Sequence, residues 1–145
     1  MVVDASVAVE WVVPEAGSDE AVALLGKELC APSLWLAEAA NALRKKCRRG
    51  ELTDEQARMR AQDLADAPLE TVELPILLPA AMRMAADLGH SIYDCFYLTA
   101  ALVRDTTLVT ADHRFAAKAS GHPHLAGRIE IRGAPLSPAI RRPRQ

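Results

Sequence analysis

The chain has few aromatic residues and few cysteines, and both shortages restrict what it can do. Aromatic residues make up 4% of its 145 residues, too few for the stacking surfaces on which many proteins bind single-stranded nucleic acid. Its three cysteines, Cys30, Cys47 and Cys95, are widely spaced and form no C-x-x-C pair. This spacing disfavours a disulfide framework or a zinc ribbon and is typical of a reducing compartment.

Long apolar runs are also absent from the sequence. No run approaches the roughly 18–20 residues of a membrane-spanning helix. The start, Met1-Val-Val-Asp4, lacks the basic leader and the apolar stretch of a signal peptide. We therefore expect a cytoplasmic protein that does not associate with a membrane.

An excess of positive charge is the third feature that the chain lacks. Lysine and arginine together number 17 against 19 acidic residues, giving a net charge of -2. This balance excludes a protein that coats duplex nucleic acid through its overall charge. Hydrophobic residues at 50% and charged residues at 25% are typical of a globular chain. The length fits one domain, which we predict at residues 1–132. Residues 133–145 are rich in arginine and proline and are predicted to form a loosely ordered basic tail.

Short apolar segments alternate with helical patterns along the chain. Strands are predicted at Met1–Val3, Leu29–Ala31, Thr71–Leu74, Thr107–Thr110 and Arg128–Ile131. Helices are predicted at Val7–Val13, Ser18–Leu29, Ser33–Arg49, Thr53 to before Pro68, Pro79–Gly89, Ser91–Val103 and Arg114–Ala119. Ser33 is the expected cap of the third helix, and Thr53 with Gln56 forms a capping box. This alternation predicts an α/β fold with a mostly parallel central sheet flanked by helices.

Four acidic residues are candidates for chemistry. Asp4 and Asp112 follow predicted strands, and ligands of parallel sheets bind beyond the carboxyl ends of the strands. Asp94 lies in a helix with almost no other polar group, and Glu38 lies within the largely apolar stretch Leu34–Leu43. If these acids converge, their repulsion requires a cation, because two like charges 4 Å apart repel by about 4 kcal/mol at an effective dielectric of 20. Oxygen ligands without paired histidine or cysteine favour Mg²⁺ or Mn²⁺ over zinc.

Each acid also has a simpler interpretation when it is taken alone. Asp4 and Asp112 can cap the helices that follow them, and Asp94 stands close to a capping box that begins at Ser91. Glu38 can lie in solvent at the edge of a polar helix face that includes Asn41 and Lys45. The pattern of four acids, rather than any one of them, supports a shared site.

Four segments, in order, resemble the signature segments of PIN-domain nucleases. They are Met1–Ser6, Leu36–Leu43, Ser91–Ala101 and Leu108–Phe115. The chain's size and its Lys45–Thr53 stretch are most similar to VapC-type toxins of bacterial toxin–antitoxin pairs. The resemblance runs from Met1 to about Ile131.

The resemblance implies a metal-dependent endoribonuclease with an acidic quartet of Asp4, Glu38, Asp94 and Asp112. In this hypothesis Asp4, Asp94 and Asp112 bind one Mg²⁺ or Mn²⁺, while Glu38 completes that site or a second one. Ser6 and Thr110 match the family's small hydroxyl positions near the metal, and Asn41 matches the polar neighbour of the glutamate. The resemblance further implies a VapB-like antitoxin as partner and a homodimer.

Five basic residues lie near the end of the helix that carries Glu38: Arg44, Lys45, Lys46, Arg48 and Arg49. They are candidates for contacts to RNA phosphates. They can equally be a solvated last turn whose charge complements the helix dipole.

Three other functions fit parts of the sequence. One is a PIN-fold RNA-processing nuclease that has no antitoxin. Another is a phosphatase or receiver domain, which is disfavoured because Asp4-Ala-Ser6 lacks the second aspartate of a D-x-D motif and Thr110-Ala-Asp112 lacks a receiver lysine. The third is a non-enzymatic interaction domain in which the acids serve only as caps.

Overall fold

A computed structural model describes residues 1–133, in which five parallel strands form the central sheet. The strands are β1 (Val2–Val3), β2 (Cys30–Pro32), β3 (Glu70–Val72), β4 (Leu108–Thr110) and β5 (Ile129–Ile131). Their order is β3-β2-β1-β4-β5, and each pairing within this sheet is parallel. The predicted α/β fold with a mostly parallel sheet is confirmed.

The strand order creates a crevice next to the central strand. β2 and β3 lie on one side of β1, whereas β4 and β5 lie on the other. The connections leaving the carboxyl ends of β1 and β4 therefore diverge in opposite directions, which is where open α/β sheets bind ligands. Asp4 directly follows β1, and Asp112 lies two residues after β4.

Seven α-helices surround the sheet within residues 1–133. They are α1 (Ala5–Val12), α2 (Ser18–Ala23), α3 (Trp35–Arg48), α4 (Asp54–Ala65), α5 (Leu74–Leu88), α6 (Ile92–Val103) and α7 (His113–Ser120). α6 contacts β1, β2 and β4 as well as α5, and its residues Cys95–Ala101 are all buried. A helix that is apolar on every side belongs in the interior, and α6 accordingly forms the centre of the core.

The structure corrects the predicted start of α5. This helix begins at Leu74 with Pro75 in its first turn, and Pro79 lies inside it rather than at its start. Pro75 satisfies the preference of proline for the first turn of a helix, whereas Pro79 does not. Pro79 is the sixth helical residue, so its missing N–H removes one backbone hydrogen bond in the N-terminal half of the helix.

Two further predictions about local structure are wrong. Ser33 is not the cap of α3, since its backbone N–H donates to the carbonyl of Val72 and α3 begins at Trp35 without a side-chain cap. The helix predicted from Ser18 to Leu29 ends at Ala23 and is followed by a 3₁₀ turn over Leu24–Gly26.

The predicted basic tail lies outside the described residues except for Gly133. Among the helices of residues 1–133, none has both the length and the apolar character needed to cross a membrane.

Candidate active site at the carboxyl edge of the sheet

Asp4 lies at the centre of the candidate site. Its Oδ1 accepts the backbone N–H of Val7 at 3.2 Å, which caps α1, and also accepts the hydroxyl of Ser6. Its Oδ2 accepts the hydroxyl of Thr110 from the neighbouring strand β4. Both carboxylate oxygens are therefore held, one by the first turn of α1 and the other by the end of β4.

Burial dominates the electrostatics of Asp4. Some of the residue's surface reaches solvent, but protein atoms surround its carboxyl group closely. The resulting desolvation raises the pKa of Asp4 from 3.8 to about 6, although the bonds from Ser6, Thr110 and Val7 lower it. The negative charge of Asp94 raises this pKa further. Such a carboxylate binds a cation favourably, because the cation compensates for the lost hydration.

Two hydroxyl groups join Asp4 to the turn that leads into α7. Thr110 Oγ1 accepts the backbone N–H of Asp112 at 2.9 Å while its own proton goes to Asp4. Ser6 Oγ accepts the backbone N–H of Ala111 at 3.2 Å. The structure thus places both hydroxyl residues named from the sequence in direct contact with Asp4.

Glu38 reaches the same region from the first turn of α3. Its Oε1 accepts the hydroxyl of Tyr97 at 2.6 Å. Desolvation raises the pKa of Glu38, the bond from Tyr97 lowers it, and the charge of Asp94 raises it. Glu38 is partly buried, so the alternative in which its side chain lies in solvent does not apply.

Tyr97 was not predicted as a functional residue. It is 2% exposed on α6, and burial together with Glu38 raises the pKa of its hydroxyl. A buried tyrosine hydroxyl normally finds a hydrogen-bonding partner, and Tyr97 stands three residues after Asp94. That spacing on an apolar helix is the signal in the sequence that could have identified it.

Asp94 lies in the first turn of α6, where its Oδ2 is 2.6 Å from Nε2 of His90. The cap of α6 is Ser91, whose Oγ accepts the N–H of Tyr93 at 3.2 Å. Asp94 does not complete the capping box considered for it: its side chain contacts His90, and among the described residues no hydrogen bond joins it to the backbone N–H of Ser91. His90 was also missed: it stands four positions before Asp94, but it precedes α6, and side chains at this spacing are expected to meet only when both lie on one helix.

Asp112 is connected to the site mainly through its backbone. Its side chain is exposed and caps α7, with Oδ1 accepting the N–H of Phe115 at 3.0 Å. The simpler role considered for Asp4 and Asp112 is thus present in the structure for both residues. Capping occupies only one oxygen of Asp112, so its Oδ2 is available for a further contact.

The donor set suits a hard divalent cation in its chemistry. Every candidate ligand is a carboxylate oxygen, and Asp94 shares an electrostatic field with Asp4 and Glu38 because its charge raises the pKa of each. Within residues 1–133, no group of three or more histidine, cysteine, aspartate or glutamate side chains is close enough together to hold a metal ion. These acids therefore form no closed ligand set within the described residues.

The basic residues of α3 divide into two groups. Arg44 pairs with Asp54 at 2.9 Å, and Lys46, whose side chain is 16% exposed, pairs with Glu15. For Lys45, Arg48 and Arg49 the described part of the chain contains no ion-pair partner.

Lys45 also lies on the face of α3 that leads to the acids. Glu38, Asn41 and Lys45 are three and then four residues apart, so they follow one another along one side of the helix. Asn41 and Lys45 are exposed. Their face therefore forms a polar stripe that ends at Glu38.

Comparison with known proteins agrees with this architecture. Residues 1–121 match the PIN domain family. The chain is similar in structure to PAE2754 from Pyrobaculum aerophilum, with a TM-score of 0.65, 29% sequence identity, and coverage of 83% of this chain and 79% of that chain. No curated protein matches the chain significantly. The family match contains all four candidate acids.

Proposed function

The chain belongs to the PIN-domain family of nucleases, and from this premise we propose that it is a Mg²⁺- or Mn²⁺-dependent endoribonuclease. The observation that carries the proposal is the enclosed carboxylate of Asp4. It lies beyond the carboxyl ends of two diverging strands, its pKa is raised to about 6, and the charge of Asp94 acts on it. A carboxylate in this position can act as a cation ligand, and it lowers the stability of the protein when no cation is bound.

In this proposal Asp4, Asp94 and Asp112 hold the cation, and Glu38 completes the site. When bound, the cation supplies a water of lowered pKa and positive charge against the scissile phosphate. Ser6 and Thr110 fix the two oxygens of Asp4, so this carboxylate needs little rearrangement to bind. Tyr97 fixes Oε1 of Glu38, and we assign Oε2 to the cation or its water.

We assign RNA phosphate contacts first to Lys45, Arg48 and Arg49. These are the basic residues of α3 without an ion pair in the described chain, and Lys45 shares a helix face with Glu38 and Asn41. Arg44 and Lys46, which are also candidates, are engaged with Asp54 and Glu15. Lys46 in particular is held against Glu15 with little exposure, which favours a structural role.

The substitution Asp94→Asn tests the enzymatic proposal. It removes one charge without changing the shape of the side chain, and we expect Mg²⁺-dependent cleavage of RNA to be lost while the circular dichroism spectrum is unchanged. Asp87→Asn is the matched control, since Asp87 is an exposed acid on α5 and its substitution should leave cleavage intact. Undiminished cleavage by the Asp94 variant would refute the proposed site.

We further propose that the chain is the toxin of a toxin–antitoxin pair, with a VapB-like antitoxin as its partner and a homodimer as its assembly. Expression of the chain alone should arrest growth, and co-expression of the neighbouring gene product should restore it. Growth that is unaffected by the chain alone would favour an RNA-processing nuclease without an antitoxin. The Asp94→Asn variant should be harmless in either case.

A further inference from the structure

His90 contacts one of the candidate acids, Asp94, and the aromatic ring of Phe115 on α7. Its Nε2 lies 2.6 Å from Oδ2 of Asp94, and its ring stacks on Phe115 with centroids 4.7 Å apart and an interplanar angle of 20°. We propose that His90 is a positioning residue that orients Asp94 for cation binding. This inference rests on the proposed metal-dependent function.

The orientation of His90 is fixed by rigid surroundings. Phe115 is 1% exposed, so the surface on which the imidazole rests belongs to the packed core. Gly89, the residue before His90, is held by α7, the helix that also carries Phe115. Nζ of Lys118 on α7 donates to the carbonyl of Gly89 at 2.9 Å. α7 therefore holds the turn before α6 through both a ring contact and a backbone contact.

The same contacts connect Asp94 to Asp112. The backbone N–H of Phe115 donates to Oδ1 of Asp112 at 3.0 Å, and the ring of Phe115 supports His90, which bonds Asp94. Asp94 lies in α6, Asp112 caps α7, and the two are 18 positions apart in the sequence. His90 and Phe115 therefore link the two carboxylates although the carboxylates do not contact each other.

The bond to His90 leaves Oδ1 of Asp94 for a cation. A carboxylate whose second oxygen is already held keeps one orientation, so less conformational freedom is lost when a metal binds. Loss of such a supporting partner typically weakens metal affinity about 10–100-fold. A merely structural histidine would instead change the stability of the protein without changing its affinity for the metal.

Calorimetric titration of the full chain with Mn²⁺ at constant pH tests this role. His90→Phe keeps a ring for stacking on Phe115 but cannot bond Asp94, and we expect its Kd for Mn²⁺ to rise about 10–100-fold. His90→Gln retains an N–H donor and should restore part of the affinity. His124→Phe is the control, because His124 is exposed and its substitution should leave the Kd unchanged.

The possible failures are distinguishable. Equal Mn²⁺ affinity in wild type, His90→Phe and His90→Gln would overturn the role of His90 alone. Tighter binding by His90→Phe would also overturn it, since His90 would then compete with the cation for Asp94. If the wild-type chain binds no Mn²⁺, the proposed metal-dependent function fails, and the role of His90 fails with it.

Discussion

Burial and hydrogen bonding oppose each other at Asp4. Three hydrogen bonds favour its ionised form, but desolvation outweighs them and the pKa rises to about 6. In the absence of a cation, ionisation of Asp4 therefore lowers the stability of the folded chain. A binding site that costs stability when it is empty is typical of functional positions.

Asp4→Asn should stabilise the metal-free protein in a pH-dependent manner. Because the pKa of Asp4 rises from 3.8 in the unfolded chain to about 6 in the folded one, the contribution of Asp4 to stability is most favourable below pH 4 and is lost as the pH rises through 6. Above pH 6 the loss amounts to at most about 3 kcal/mol. Urea denaturation without divalent ions should show the variant to be more stable at pH 7.5, with the difference vanishing near pH 4. A variant that is less stable than wild type at pH 7.5 would contradict this account of Asp4.

Tyr97→Phe should lower activity without disrupting the fold. The substitution removes the hydroxyl that fixes Glu38 while the ring remains to fill the core. We expect roughly a tenfold lower kcat for RNA cleavage, as for other residues that orient ligands of a metal site. Tyr93→Phe is the control, because Tyr93 is 58% exposed. Equal rates for both variants would show that the orientation of Glu38 is not needed.

At the scale of helices and strands, the features that were predicted correctly depend on neighbouring residues. The capping box of Thr53 and Gln56 is present with bonds of 2.9 and 3.1 Å, and the apolar α6 begins after Ser91 as predicted. The predicted start of α5 was wrong because the segment contains two prolines, and either could be read from the sequence as the start of a helix. Local chemistry thus predicts that an element exists more reliably than it predicts where the element begins.

The candidate site shows the same limit. Asp4 and Asp112 can be identified because they follow apolar strands, and Asp94 and Glu38 because they interrupt apolar segments. The spacing of Tyr97 from Asp94 could have marked it as a candidate, but not its role, because its partner Glu38 is 59 positions away. The role of His90 could not be predicted either, since its orientation depends on stacking against Phe115 of α7. Contacts between distant elements follow from the fold and not from a local pattern.

Lys45→Gln tests the proposed RNA-binding face of α3. With an Asp94→Asn background to prevent cleavage, the substitution should weaken RNA binding across different sequences. It should also reduce the slope of log affinity against log salt by about 0.7, the value for one phosphate contact on a single strand. Lys27→Gln is the matched control, since Lys27 is exposed just before the amino end of β2, at the opposite edge of the sheet. An unchanged slope for the Lys45 variant would indicate a solvated helix end.

At the scale of the whole molecule, a buried ion pair connects the two ends of the described chain. Nε of Arg132, directly after β5, lies 2.6 Å from Oε2 of Glu10 on α1, and the side chain of Glu10 is 3% exposed. Burial raises the pKa of Glu10, although the charge of Arg132 lowers it. The pair anchors the end of the edge strand to the helix that Asp4 caps.

Arg132→Met should therefore destabilise the protein strongly. Removal of one partner leaves the carboxylate of Glu10 buried without compensation, which costs about 3 kcal/mol. Arg104→Met is the control, because the Arg104–Glu70 pair has side-chain exposures of 41% and 64% and its loss should cost less than about 1 kcal/mol. Thermal unfolding of the two variants at pH 7.5 provides the comparison. Similar losses in both would show that the buried pair contributes no more than a surface pair.

Cleavage of total RNA by the purified chain tests the central claim most directly. The account predicts that wild-type protein with Mg²⁺ or Mn²⁺ produces internal cuts at defined positions, that EDTA stops the cleavage, and that renewed addition of the metal restores it. Asp4→Asn should produce no cuts under any of these conditions. Cleavage that continues in EDTA, or that Asp4→Asn performs at the wild-type rate, would contradict the assignment of a metal-dependent ribonuclease site to these acids.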